Sequence, residues 1–237
     1  TNIISIKNLS ITFKSKNTNV NAVVHASLNV KAGQRNGLIG ESGSGKSVMA
    51  RSILKLDDQR TTIYGTNSCI EINGKDILKL SEKSVHKFRG EIVSMVFQNP
   101  MHSLKPSFTI GAQLRRVLMA HRNYSRLDSK IKILSALKSV DLPGVEELIQ
   151  RYPHELSGGQ CQRVMVAMAI LCEPKLIIAD EPTSALDVTA QDKVLQILKK
   201  LSVENKIAVL MITHDMGVVA QFCEIVSVMY GDRKSVV

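Results

Sequence analysis

Gly40-Glu41-Ser42-Gly43-Ser44-Gly45-Lys46-Ser47 is the stretch that decides the fold. A short apolar segment, Asn36 to Ile39, leads into it, and Val48 to Leu56 follows with helical apolar spacing. Strand, glycine-rich loop and helix in that order are the setting of a phosphate loop. The glycines let the backbone curl so that successive N–H groups converge on phosphate oxygens at the positive end of the helix. Lys46 is expected to neutralise the β- and γ-phosphates, and the Ser47 hydroxyl to ligate Mg²⁺.

Outward from the loop, Ile92 to Phe97, Leu176 to Ala179, Ile207 to Ile212 and Ile225 to Tyr230 are apolar runs too short for helices. Together with Asn36 to Ile39 they predict a mostly parallel α/β sheet. Ile3 to Phe13 and Ala22 to Val30 read as a hairpin around the polar stretch Lys14 to Asn21. Between Gln98 and Leu156 the pattern turns helical, over Ile110 to Arg122, Ser129 to Val140 and Val145 to Arg151, with Pro, Gly and Asp turns between. This predicts a helical subdomain at about 99–156, inserted into a sheet core made of 1–98 and 157–237.

Leu176-Ile177-Ile178-Ala179-Asp180-Glu181 is an apolar strand ending in two carboxylates, at the end where α/β sheets bind ligands. Asp180 is expected to meet Mg²⁺ through a water, and Glu181 to polarise an attacking water. Upstream, Leu156-Ser157-Gly158-Gly159-Gln160 opens a stretch to Leu171 in which Val164, Met168 and Leu171 recur at helical spacing, predicting an amphipathic helix. Ser157 can cap that helix and donate to a γ-phosphate, while Gly158 and Gly159 permit close backbone approach.

Composition bounds the rest. With 237 residues and 44% hydrophobic content, the chain has material for a sizeable core. No apolar run approaches the ~20 residues of a membrane-spanning helix, and no charged-then-apolar leader opens the sequence. Cys69, Cys161, Cys172 and Cys223 lack paired spacing and read as ordinary reduced residues. A net charge of +10 admits nucleic acid, an anionic membrane face or nucleotide phosphates as partners, but with 4% aromatic residues a stacking platform is unsupported. His25, His86, His102, His121 and His154 show no mutual metal spacing, and the nine methionines sit mainly in apolar stripes.

The Leu156 to Gln160 run just upstream of the acidic strand, behind a phosphate loop, resembles the ATP-binding cassette (ABC) ATPases, over essentially the whole chain. The resemblance implies a P-loop NTPase cassette: a RecA-like core, an N-terminal antiparallel β portion and an inserted helical subdomain. It implies ATP and Mg²⁺ as ligands. Gln98 falls at the family's Q-loop glutamine, which senses Mg²⁺ and water. Asp187, in Ser184-Ala185-Leu186-Asp187, matches the D-loop, and His214 the switch histidine at the γ-phosphate. Phe13 stands near the family's adenine-stacking aromatic, and equally suits an apolar strand position.

Phe97-Gln98-Asn99-Pro100-Met101-His102-Ser103-Leu104-Lys105-Pro106, Tyr152-Pro153-His154-Glu155 and Ala179 to Thr189 are similar to the peptide/nickel importer branch. Cys161, unusual after the signature, is expected at a harmless helix surface. The ending Gly231 to Val237 is atypical, and the chain is expected to lack a C-terminal extension. The resemblance implies a second ABC ATPase subunit, two membrane permease subunits and, indirectly, an extracytoplasmic binding protein as partners. It places the chain at the cytoplasmic membrane face, powering uptake of peptides, nickel or another metal complex. A non-transport ABC ATPase acting on nucleic acid or ribosomes is the alternative. A regulatory module that binds ATP without hydrolysing it is disfavoured by Glu181 and His214.

Overall fold

The computed structural model describes residues 2–15, 18–121, 124–230 and 233–236. In chain order the strands are β1 Asn2–Lys14, β2 Asn19–Lys31, β3 Arg35–Gly40, β4 Thr62–Tyr64, β5 Cys69–Ile72, β6 Lys75–Asp76, β7 Val93–Val96, β8 Leu176–Asp180, β9 Ala208–Ile212, β10 Ile225–Tyr230 and β11 Arg233–Val236. The helices are α1 Lys46–Ile53, α2 Glu82–His86, α3 Pro100–Ser103, α4 Ile110–His121, α5 Arg126–Ser139, α6 Val145–Leu148, α7 Gly158–Ile170, α8 Val188–Asn205 and α9 Met216–Phe222.

Two sheets result. One is antiparallel, in the order β2-β1-β5-β6 with β4 also pairing β1; the other runs β11-β10-β3-β9-β8-β7, parallel from β10 through β7. β8 and β9, every residue of which is buried, are covered on both faces, which is why Leu176 to Ala179 and Ala208 to Ile212 read as unbroken apolar runs. Leu176 and Ile178 of β8 pack towards the antiparallel sheet, whereas Ile177 and Ala179 join the helical side. β9 divides the same way, Leu210 and Ile212 against Val209 and Met211. The period-2 alternation of strands thus builds two cores on one sheet.

Several boundaries differ from expectation. α1 begins at Lys46 and ends at Ile53, because Leu54 and Leu56 both turn back to the Arg51 carbonyl and Lys55 takes φ +47°. α5 begins earlier, where Ser125 accepts from the Asp128 amide as N-cap. α6 ends at Leu148; the Ile149 and Arg151 carbonyls accept instead from Gly111 and Ile110 at the start of α4. Lys16, Asn17, Arg122, Gly231, Asp232 and Val237, which belong to segments singled out above, lie outside the described residues.

Two corrections concern the helix after the signature run. α7 is not amphipathic: Val164, Met165, Val166 and Ala167 are all buried, since α3, α4, α5, α8 and β7 all pack on it. Cys161 is likewise not at a surface. It is fully buried, its thiol donates to the Pro153 carbonyl at 3.4 Å, and burial pushes its pKa up.

Candidate functional site

The carboxyl ends of four neighbouring parallel strands supply the site. The glycine loop leaves β3, Gln98 follows β7, Asp180 ends β8 with Glu181 behind it, and His214 follows β9. The loop, Gln98, Glu181 and His214, far apart in sequence, converge on one cleft of about 620 Å³ that also takes in Val20, Asn21 and Ala22 of β2, and Asp180 is buried beside it, bonded to Ser47.

The loop is held by contacts only glycine permits. Gly45 has φ +91°, and a Cβ there would stand 2.3 Å from the Ala22 carbonyl oxygen; at Gly40 it would stand 2.2 Å from that of Met229. Gly43, by contrast, faces open space on the cleft. Among the described residues no acceptor meets the Gly43 and Gly45 amides, so the loop offers free donors where an anion would sit. Lys46 points its ammonium back into the loop, donating to the Gly40 and Glu41 carbonyls at 2.8 and 2.7 Å. Burial draws its pKa below the usual lysine value, against the opposing pull of Glu181 and Asp180.

Ser47 donates to Asp180 Oδ1 at 3.0 Å, joining the first turn of α1 to the end of β8. Burial raises the Asp180 pKa, with the Ser47 hydrogen bond working the other way. A hydroxyl beside a carboxylate is a hard-oxygen pair of the kind Mg²⁺ takes, with water and phosphate oxygens completing the shell.

Glu181 is the junction of the site. Its Oε2 accepts from Gln98 Nε2 at 2.7 Å and its Oε1 lies 3.0 Å from His214 Nδ1. Because a carboxylate only accepts, the second contact places the imidazole proton on Nδ1. Its backbone sits at φ +46°, a left-handed conformation that costs a non-glycine residue energy; the amide is tied to the Ile212 carbonyl, and its own carbonyl accepts from Ser184 Oγ. The turn so fixed swings the carboxylate off the strand axis and over the cleft.

The signature residues lie elsewhere. Ser157 caps α7, accepting from the Gln160 amide at 3.3 Å, while the Gln160 side chain accepts from the Ser157 amide at 2.9 Å. Ser157, Gly158 and Gly159 line a separate cleft of about 360 Å³ with Asp187, which caps α8 through the Ala190 amide. Gly159 is pressed to α8, where a Cβ would meet Ala190 at 3.1 Å. This cleft shares no residue with the phosphate-loop cleft.

Phe13 is not among the residues lining the phosphate-loop cleft. It packs partly against the core beneath the antiparallel sheet, while its strand partner Val20, 55% exposed, does line the cleft. Sequence reading passed over Val20 because it lies in a stretch read as polar turn. Arg163 was also passed over: it donates to the Gly159 and Asp141 carbonyls, bracing the signature helix against the end of α5.

The sequence profile described as ABC transporter matches residues 23–184. The chain belongs to that family. It is an ABC ATPase that binds and hydrolyses ATP with Mg²⁺. It is similar to the oligopeptide transport ATP-binding protein of Escherichia coli, 44% identical over 98% of this chain and 68% of the relative. The dipeptide transport ATP-binding protein of Bacillus subtilis is 40% identical over 98% of this chain and 69% of its own. A solved ATP-binding cassette, dimeric in a post-hydrolysis state with ADP and Pi, superposes with a TM-score of 0.84 at 31% identity, over 98% of each chain. No described helix of the cassette is long and apolar enough to cross a membrane.

Proposed function

We propose that this cassette is the ATP-hydrolysing subunit of an importer for peptides, working as one of two cassettes beneath two permease subunits at the cytoplasmic membrane face. The reading of the cargo rests on relatives whose names carry oligopeptide, dipeptide and glutathione. The pairing is supported by a signature cleft set apart from the phosphate-loop cleft, so that each chain brings two different half-sites.

One observation carries the catalytic part: the Glu181 carboxylate, held by Gln98 and His214, at the mouth of the phosphate-loop cleft. Glu181 acts as general base towards the attacking water. Lys46 leaves its loop carbonyls to neutralise the phosphates, and the loop amides hold them in line. Ser47 and Asp180 would hold Mg²⁺, which when bound would neutralise charge building on the phosphate oxygens. Gln98 orients the carboxylate and the water, and His214 stabilises charge at the γ-phosphate. Ser157 to Gln160 close over the nucleotide of the partner cassette, with Asp187 at the same joint. Nucleotide-driven closure drives transport only by having different contacts with two permease states.

The test is reconstitution. Purified chain should hydrolyse ATP in a Mg²⁺-dependent manner, with specific activity rising as concentration favours pairing. In membranes with its permease, turnover should rise with peptide on the opposite side. Peptide-independent turnover that nickel complexes stimulate would overturn the cargo assignment.

A further inference from the structure

The helical hairpin α4–α5 carries a surface that nothing in the ATPase cycle uses. α5 is apolar on two faces. Ile133, Ala136 and Leu137 are buried in the core, but Leu127, 68% exposed, and Ile131, 58% exposed, point outward, with the half-buried Leu134 continuing the same stripe at i, i+4 and i+7. An apolar face on both sides of a helix calls for a second cover. Met119 adds a further exposed apolar side chain on the outward face of α4.

The charge on this hairpin is as one-sided as its exposed apolar surface. α4 and α5 together contain six Lys and Arg and one acidic residue, Asp128, a net +5 that is half the chain's +10. Arg126 and Lys130, which flank the stripe, are exposed and have no ion-pair partner among the described residues. Lys138, at its far end, shares its charge with Glu146.

We propose that the outward face of α4–α5 binds the surface of an anionic phospholipid bilayer directly, independently of any permease. Apolar side chains interleaved with cations on one helix face match an interfacial contact, in which the apolar groups enter the headgroup boundary and the cations meet lipid phosphates. Nucleic acid fits less well. It would reward cations and stacking rings, and the exposed groups between these cations are aliphatic.

The experiment is sedimentation of the full chain with vesicles of phosphatidylcholine, with and without roughly a third phosphatidylglycerol. Binding should require the anionic lipid and weaken with salt. Replacing both Arg126 and Lys130 with Gln should lower the partition coefficient roughly 30-fold, about 5-fold for each cation removed. Ile131→Ser should lower it further while leaving the salt dependence in place. None of these residues belongs to the nucleotide clefts, so ATP binding should be unchanged in every variant and certifies the fold. Equal binding to neutral vesicles, or variants that sediment like the parent, would overturn the proposal. A matching loss of RNA binding with no lipid binding would assign the face to nucleic acid. Dissociation of a dimer by Ile131→Ser without lipid binding would assign it to a second copy.

Discussion

Replacing Glu181 with Gln removes a negative charge and little else. The side chain keeps its length and the backbone keeps its φ of +46°, so the left-handed turn costs both forms the same. The amide oxygen can still accept one of the two hydrogen bonds that the carboxylate accepts from Gln98 and His214. Gln98 can rotate its own amide to meet the new NH₂. The fold should therefore lose no more than roughly 1–3 kcal/mol, the range for an imperfect hydrogen bond to a formerly charged group. The chemical step is affected far more. A positioned general base contributes about 10²-fold to 10⁴-fold, which is roughly 3–5.5 kcal/mol at 1.36 kcal/mol per decade. Nucleotide affinity should stay, because Lys46 and the loop amides are untouched. The variant should thus accumulate a closed, ATP-loaded pair. Single-turnover hydrolysis, measured beside equilibrium binding of labelled ATP, separates the two effects. Near-normal turnover with intact binding would refute the role of Glu181; lost binding with normal thermal stability would show that the carboxylate serves the phosphates rather than the water.

Lys46→Ala should weaken nucleotide binding before chemistry is reached, read by titration with a non-hydrolysable ATP analogue, since the phosphates lose their fixed cation. For Asp180, burial raises the folded pKa above the unfolded value, so the folded state binds the extra proton and stability falls as pH rises through that window. Asp180→Asn should accordingly raise the Tm of nucleotide-free protein at neutral pH, with a smaller gain at acid pH, while abolishing the further stabilisation given by Mg²⁺ with nucleotide. Cys161→Gln should cost about 3 kcal/mol or more in chemical denaturation, because a longer polar side chain would be forced into a filled, fully buried position; a surface position would change stability by no more than about 0.5 kcal/mol. Ser157→Arg should spare ATP binding in its own chain and stop turnover at the partner's site, as site-resolved nucleotide trapping in a mixed pair would show.

The centre of the parallel sheet was legible because β8 and β9 are buried on both faces and therefore appear as short unbroken apolar runs, with Glu181 and His214 just beyond them. The antiparallel strands β4 to β6 were not, since Thr62–Tyr64, Cys69–Ile72 and Lys75–Asp76 are two to four residues long, too short for even the alternation of Ile70 and Ile72 to stand out. α8 carries a helical signal in Val194, Leu195, Leu198 and Leu201, one face of a helix capped by Asp187. Cys161 was misplaced by the glycines before it. The run Val164 to Ile170, apolar without interruption, was the signal that α7 is surrounded rather than laid on a surface.

What a sequence cannot display is the bond between motifs. Ser47 and Asp180 are 133 residues apart, and Gln98 and Glu181 are 83 apart, yet both pairs touch. The second contact has a mechanical consequence. Gln98 leaves β7 at the point where the chain enters its helices, and His214 leaves β9 on the opposite side of β8, so one carboxylate is held from both neighbouring strands at once. A displacement of the helical segment that draws Gln98 away frees one oxygen of Glu181 while His214 retains the other. The base is then tilted without being removed, so the rate of hydrolysis can change while the phosphate loop stays in place.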